Sequence, residues 1–269
     1  MAPPDERMFR QENNEMATAV FMDLDDTVFQ TMRKCRKDGG PLKAAAMAAD
    51  GSPSSYFEPG QYHLLERVLS AAMLIPVTAR DLEALGRVRL TFKHGAIADY
   101  GGVILDRDGR PDQSWHDRMA TLCADARPIL MEARDRADGL ISAGRLACRA
   151  RLISDLGLCF YLVIKNYNSR LEELDEIKAA LTDFAGNNSL QINLNDNNLS
   201  FLPGFLNKAR AVAYFMETRL KPRHGRVLTI GMGDSLGDFK FLKLCDFMLI
   251  PSRSQLADDF SPQNSCGRQ

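Results

Sequence analysis

Four short apolar runs, the first of them ending in carboxylates, constrain the fold of this chain more than any other feature. They are Thr18-Ala-Val-Phe-Met-Asp-Leu-Asp25, Ala71-Ala-Met-Leu-Ile-Pro-Val77, Val227-Leu-Thr-Ile-Gly231 and Phe247-Met-Leu-Ile250. Continuous apolar runs of this length read as strands buried on both faces, which is the habit of parallel sheets. Helical periodicity lies between them. From Gln61 to Ser70 one face carries Leu64, Leu65, Val68 and Leu69, and ahead of the third run another carries Ala209, Val212, Ala213, Met216 and Leu220. Strands alternating with helices predict an α/β class fold, a Rossmann-like parallel sheet covered on both faces.

The middle of the chain follows a different pattern. A long helix is predicted over His116–Asp138, bent at Pro128. Two strands follow, Arg145–Ile153 and Leu158–Asn166, turning at Ser154-Asp-Leu-Gly157. A helix with Leu171, Leu174, Ile177, Leu181 and Phe184 on one face comes next, then a second hairpin of Leu190–Asn195 and Leu199–Leu202. Hairpins mean antiparallel pairing, so this stretch reads as an αββαββ cap domain inserted into the parallel one. The expected division is a core of residues 17–105 and 204–252, a cap of 106–203, and polar tails at 1–16 and 253–269, with Gly101-Gly102 and Pro203-Gly204 as hinges.

Open parallel sheets bind ligands beyond the carboxyl ends of their strands. The first strand ends there in Asp23-Leu-Asp25-Asp-Thr27 and the second in Thr78-Ala-Arg80. The third ends in Gly231-Met-Gly-Asp234-Ser-Leu-Gly-Asp238, and Lys208 opens the helix before it. On an ideal strand Asp23 and Asp25 share a face. Two such carboxylates repel unless a cation or proton separates them, and a hard divalent ion with oxygen ligands suits that site. A lysine in a first helical turn opposes the macrodipole, so Lys208 needs another reason, and a bound phosphate supplies one. Plainer roles exist for neighbours. Thr78 is a candidate N-cap for the helix near Asp81, Asp238 suits a helix start, and Arg80 reads as structural.

These four elements, in this order, resemble the signature of the haloacid dehalogenase superfamily of phosphatases, and the αββαββ insert resembles its type IIB cap subgroup. The resemblance implies magnesium-dependent hydrolysis of a small phosphate monoester, a sugar phosphate above all, through an aspartyl-phosphate. It implies Asp23 as nucleophile and Asp25 as acid and then base. Thr78 and Lys208 would bind the phosphoryl group. Mg2+ would be held by Asp23, the backbone carbonyl of Asp25, Asp234 and Asp238. Two departures stand out: Asp26 where many relatives have glycine, and Gly237 where this subgroup usually has asparagine.

Specificity is expected from the cap, because the core groups see only the phosphoryl unit. Alternation puts Arg145, Arg149 and Arg151 on one side of their strand, and Gln191, Asn193 and Asn195 on one side of theirs. That face either meets solvent or turns toward the site to read hydroxyls and a second anion. Residues 31–58 read as a long loop with one short helix at Leu42–Ala49, its basic start suited to an anionic substrate.

Composition narrows the partners. A formal net charge of −1 gives no general attraction to nucleic acid or an anionic membrane. The six cysteines include no CxxC pair, which suits reduced thiols. No run approaches a membrane span and the amino terminus lacks an apolar leader, so a cytoplasmic enzyme acting on a small phosphorylated metabolite is expected. The competing readings are a phosphomutase on the same chassis and an inactive, ligand-binding relative. Retention of Asp23, Asp25, Thr78, Lys208 and Asp234 speaks against the latter.

Overall fold

The computed structural model describes residues 16–168 and 170–260. The chain enters on β1 (Thr18–Met22), then forms a hairpin of β2 (Lys43–Met47) and β3 (Pro53–Phe57). A helix, α1 (Pro59–His63), is extended by a π-type turn over Leu64–Val68 and leads to β4 (Met73–Pro76). The short α2 (Leu82–Gly86) and a second hairpin, β5 (Ala96–Ala98) with β6 (Val103–Leu105), complete the first pass. Next come α3 (Gln113–Gly144), β7 (Cys148–Asp155), β8 (Leu158–Asn166), α4 (Leu171–Asn187), β9 (Leu190–Asn195) and β10 (Asn198–Pro203). The chain returns through α5 (Lys208–Phe215), α6 (Lys221–His224), β11 (Leu228–Met232), α7 (Leu236–Leu242), β12 (Phe247–Leu249) and α8 (Gln255–Asp259).

Two four-stranded sheets organise the molecule. The parallel one has the order β12-β11-β1-β4, which puts β1 at its centre and all four apolar runs side by side. Residues 19–22 are fully buried, as a strand covered on both faces should be. The antiparallel sheet has the order β7-β8-β10-β9 and packs one face on α3 and α4. Its interior is a separate apolar cluster built on Leu130, Leu162, Ile164, Leu174, Ile177, Leu181, Leu199 and Phe201. Seven phenylalanines are nearly or wholly inaccessible across the two cores, each contributing about 1.5–3 kcal/mol. The α/β class and the αββαββ order of the insert are therefore present.

Local differences from the sequence reading have simple causes. The stretch at 42–49 is a strand, not a helix: Lys43-Ala-Ala-Ala-Met47 pairs with β3, and tertiary pairing overrides alanine's helix preference. Arg145 is not in a strand. It has φ 50° as the C-cap of α3, and β7 starts three residues later. Pro128 lies inside α3, which runs unbroken from Gln113 to Gly144. Residues 255–259, part of the stretch read as a tail, are helical, with Leu256 buried and Ser254 capping Ala257. The tails at 1–15 and 261–269 lie outside the described residues, Cys266 with them. Among the described residues the five cysteines are free thiols, and no helix is long and apolar enough to cross a membrane.

The link between the two sheets is strained. Asp99, Tyr100 and Gly101 have successive φ values of 50°, 54° and 95°. A left-handed tyrosine costs free energy, about 1–3 kcal/mol at such positions. Gly101 is required there, because a Cβ would sit 2.8 Å from the Asn207 carbonyl oxygen. Trp115 anchors the same link by donating its indole N–H to the Gly101 carbonyl at 3.0 Å.

Candidate active site

Parallel pairing brings the chemistry-bearing strand ends together. The Asp23 amide donates to the Met232 carbonyl at 2.9 Å, and the Val77 amide to Met22 at 2.8 Å. The three loops beyond β1, β4 and β11 thus emerge at one edge. α5 adds Lys208 there, its first turn capped by Asn207, whose side chain accepts from the Ala209 and Arg210 amides.

Asp23, Asp234 and Asp238 converge, with one carboxylate oxygen of each within 4.8 Å of the others. Lys208 Nζ donates to Asp23 Oδ1 at 2.6 Å and to Asp238 Oδ1 at 2.7 Å. Thr27, absent from the sequence-derived set of site residues, ties the loop together by facing both Asp23 (3.3 Å) and Asp234 (3.1 Å). Asp238 combines the two roles read for it. Its second oxygen accepts from the Ser235 hydroxyl at 2.6 Å and closes a capping box on α7, while its first meets Lys208.

One ammonium does not compensate three clustered carboxylates, two of them buried. Burial pushes Asp234 up to about 7, with Asp238 and Asp26 adding repulsion and Lys208 opposing it. Burial also raises Asp23, against the pull of Lys208. Lys208 loses by burial but gains more from Asp23 and Asp238, so it stays firmly protonated. A set of hard oxygens with surplus negative charge is the donor chemistry that a divalent cation such as Mg2+ satisfies.

Asp25 departs from this cluster. The strand ends at Met22, and the Asp25 carboxylate turns to Arg80, which grips it with Nε and Nη2, both at 2.7 Å. Arg80 is itself held by the Ala84 carbonyl and lies over the Phe29 ring. The arginine read as structural is therefore the direct partner of a candidate catalytic group. Thr78 is buried beside it. Its hydroxyl accepts from the Arg80 amide at 3.1 Å, while the N-cap of α2 is Asp81.

The cap sheet faces this edge. Asn193 donates to the Tyr100 hydroxyl at 3.1 Å, and Tyr100 feels both Lys208 and Asp23. Arg151 approaches Asp81 at 3.6 Å, and the Tyr161 hydroxyl donates to the Ala79 carbonyl at 2.9 Å. Arg149 and Asn195 are exposed, and Arg145 lies at the helix C-cap away from the strand. Tyr100 is a residue sequence reasoning missed. Its only signal was its place beside the hinge glycines.

Gly233 is fixed by the cluster. A Cβ there would lie 2.6 Å from the Asp238 Cβ, so Gly233→Ala must displace Asp238. Calorimetric titration of Mg2+ should show about tenfold or greater loss of affinity in that variant, as when a ligand's support is removed. Unchanged affinity would place Asp238 outside any metal site.

No family model matches the chain, and no curated protein matches it in sequence. Solved structures do. The C-terminal domain of trehalose-6-phosphate phosphatase from C. albicans aligns over 85% of this chain and 73% of its own, at 15% identity and a TM-score of 0.51. A protein of Thermoplasma acidophilum aligns over 89% and 86%, at 13% identity and a TM-score of 0.50. At such identities the likeness shows the fold alone: a Rossmann-like parallel core carrying a separate antiparallel cap sheet.

Proposed function

We propose that this chain is a magnesium-dependent phosphatase that hydrolyses a small phosphate monoester, a sugar phosphate above all, through an aspartyl-phosphate on Asp23. The observation that carries the reading is the convergence of Asp23, Asp234 and Asp238 around one lysine at the carboxyl edge of a parallel sheet. The substrate class is supported by the fold shared with a trehalose-6-phosphate phosphatase. The division of labour is part of the same reading: residues 17–105 and 204–252 bind and cleave, and 106–203 select.

Each residue has a role consistent with its surroundings. Asp23 attacks phosphorus, its Oδ1 already held at 2.6 Å by Lys208. Lys208 then offsets charge on the phosphoryl oxygens. Thr78, buried at the end of β4, donates to one of them. Asp25, released from Arg80 and taking up a proton from solvent as the ester enters, gives that proton to the leaving oxygen and later takes one from the attacking water. Mg2+, held by Asp23, Asp234, Asp238 and the Asp25 carbonyl, would neutralise phosphoryl charge when bound. Closing the cap excludes water from the site.

Phosphate release from a panel of sugar phosphates tests the reading. Stoichiometric phosphate supports a phosphatase, isomerisation without it a mutase, and neither would sink both. Activity should vanish in excess chelator and return with Mg2+. The metal should also stabilise the fold in a pH-dependent way. A carboxyl raised on folding contributes stability while protonated, and that contribution is lost as pH rises from about 4 to the Asp234 value of about 7. Metal binding relieves the same repulsion, so the increase in Tm caused by Mg2+ should be larger at pH 8 than at pH 5.5. An equal increase at both would disconnect the cluster from the metal.

A further inference from the structure

The register of the cap sheet sorts its core-facing residues into three rows. The inner row runs Ile153, Tyr161 on β8, then Leu202 and Gln191, and packs on the core through Tyr161 and Ala79. The middle row runs Arg151, Val163, Ser200, Asn193 and touches the core at both ends, at Asp81 and at Tyr100. The outer row runs Arg149, Lys165, Asn198, Asn195. The hairpin turn beyond it closes back on the core, where Asp196 pairs with Arg33 from the loop after β1.

Charge singles out the outer row. The other cations around the edge are matched to carboxylates: Arg80 to Asp25, Arg151 to Asp81, Arg33 to Asp196 and Lys34 to Asp26. Arg149 and Lys165 have no ion pair among the described residues, Lys165 reaching only the Tyr167 ring at 5.7 Å. Yet the two are direct cross-strand partners. Like charges placed opposite one another destabilise a sheet, with Cβ atoms about 4.5–5.5 Å apart. The pairing works against the fold, and an anion between the two side chains reverses its sign.

Resting on the phosphatase reading, we propose that Arg149 and Lys165 form a second anion subsite, so that the substrate is a phosphate ester whose leaving portion carries another carboxylate or phosphate. Strand spacing of about 4.8 Å and a two-residue step of about 6.8 Å put Lys165 roughly 12 Å from Asn193. Asn193 in turn contacts Tyr100 beside Lys208. The second anion therefore lies beyond Asn193 as seen from Lys208, on the leaving-group side of the site. Asn195 and Asn198 lie in the same row, placed for hydroxyls between the two ends.

Matched esters test this. The kcat/KM of glucose 1,6-bisphosphate is compared with that of glucose 1-phosphate, and that of 6-phosphogluconate with that of glucose 6-phosphate. The first pair adds a phosphate and the second a carboxylate. The doubly anionic member should be preferred at least tenfold in one pair, which identifies the anion. In Arg149→Ala/Lys165→Ala the ratio should fall to near one, and in Arg149→Lys/Lys165→Arg it should persist. A ratio cancels any general loss of folded enzyme. Wild-type hydrolysis without preference in either pair, or a preference that survives the alanine pair, overturns the subsite. No hydrolysis of any ester, p-nitrophenyl phosphate included, is a different result and overturns the phosphatase reading instead.

Discussion

Asp23→Asn is expected to abolish turnover, by about 10⁴-fold or more, because it removes the nucleophile rather than a group that assists it. The substitution is nearly isosteric, and the site can absorb it. Asp23 is buried, raised by that burial, and one of three carboxylates served by a single ammonium. Removing one negative charge relieves repulsion while the amide oxygen still accepts from Lys208. The variant should therefore fold with stability equal to or above the parent, and a melting curve beside the rate measurement makes the two effects separable. Beryllium fluoride, which mimics an aspartyl-phosphate, should protect the parent thermally in Mg2+ and leave Asp23→Asn unmoved. A variant retaining a tenth of the activity would assign the attack to water or to another residue.

The acidic strand ends were legible because they carry their own argument: carboxylates at the carboxyl edge of a parallel sheet need a cation. What joins them was not. Thr27 between Asp23 and Asp234 and the Arg80 clasp on Asp25 are contacts between loops, and neither spacing nor periodicity encodes which loop faces which. Tyr100 was hidden for a different reason. Its left-handed backbone is imposed by packing around Gly101 and Asn207, and a tyrosine gives no sequence signal of a positive φ. Asp99 beside it is inaccessible, with neither carboxylate oxygen bonded among the described residues. Burial, with Asp155 and Asp81 nearby, pushes it up to about 9.

Fold reading succeeded where burial dictates pattern and failed where pairing does. β1 and β4 are apolar because covered faces demand it, whereas the fourth run, expected to be buried, forms the edge strand β12 with Phe247 and Met248 exposed. The helix–strand–strand order of the cap was visible from turns at Ser154–Gly157 and Asp196-Asn197, both with a non-glycine residue at positive φ. Lys43–Met47 was not, since three alanines satisfy a helix as well as a half-covered hairpin, and only the partner strand decides. The three-residue strands β5 and β6 are too short to show any period.

Lys208→Met should be the most damaging change after loss of the nucleophile, and its effect depends on the metal. The ammonium holds Asp23 and Asp238 at 2.6 and 2.7 Å in a position only about a tenth exposed. Breaking a buried pair by deleting one partner typically costs about 3–5 kcal/mol. The carboxylates have an escape, because three crowded acids share protons once the lysine is gone, so the loss is greatest at high pH and softened at low pH. Mg2+ offers the other escape. It should raise the Tm of Lys208→Met more than that of the parent, since the variant has more repulsion to relieve. Restored stability does not restore the chemistry: phosphoryl charge still lacks its donor, and the rate in saturating Mg2+ should remain about 10²–10³-fold down. Lys208→Arg, which keeps the charge but not its compact fit, should recover stability more fully than rate. If Lys208→Met melted like the parent at pH 8 without metal, the three carboxylates would not be the strained cluster that the geometry describes.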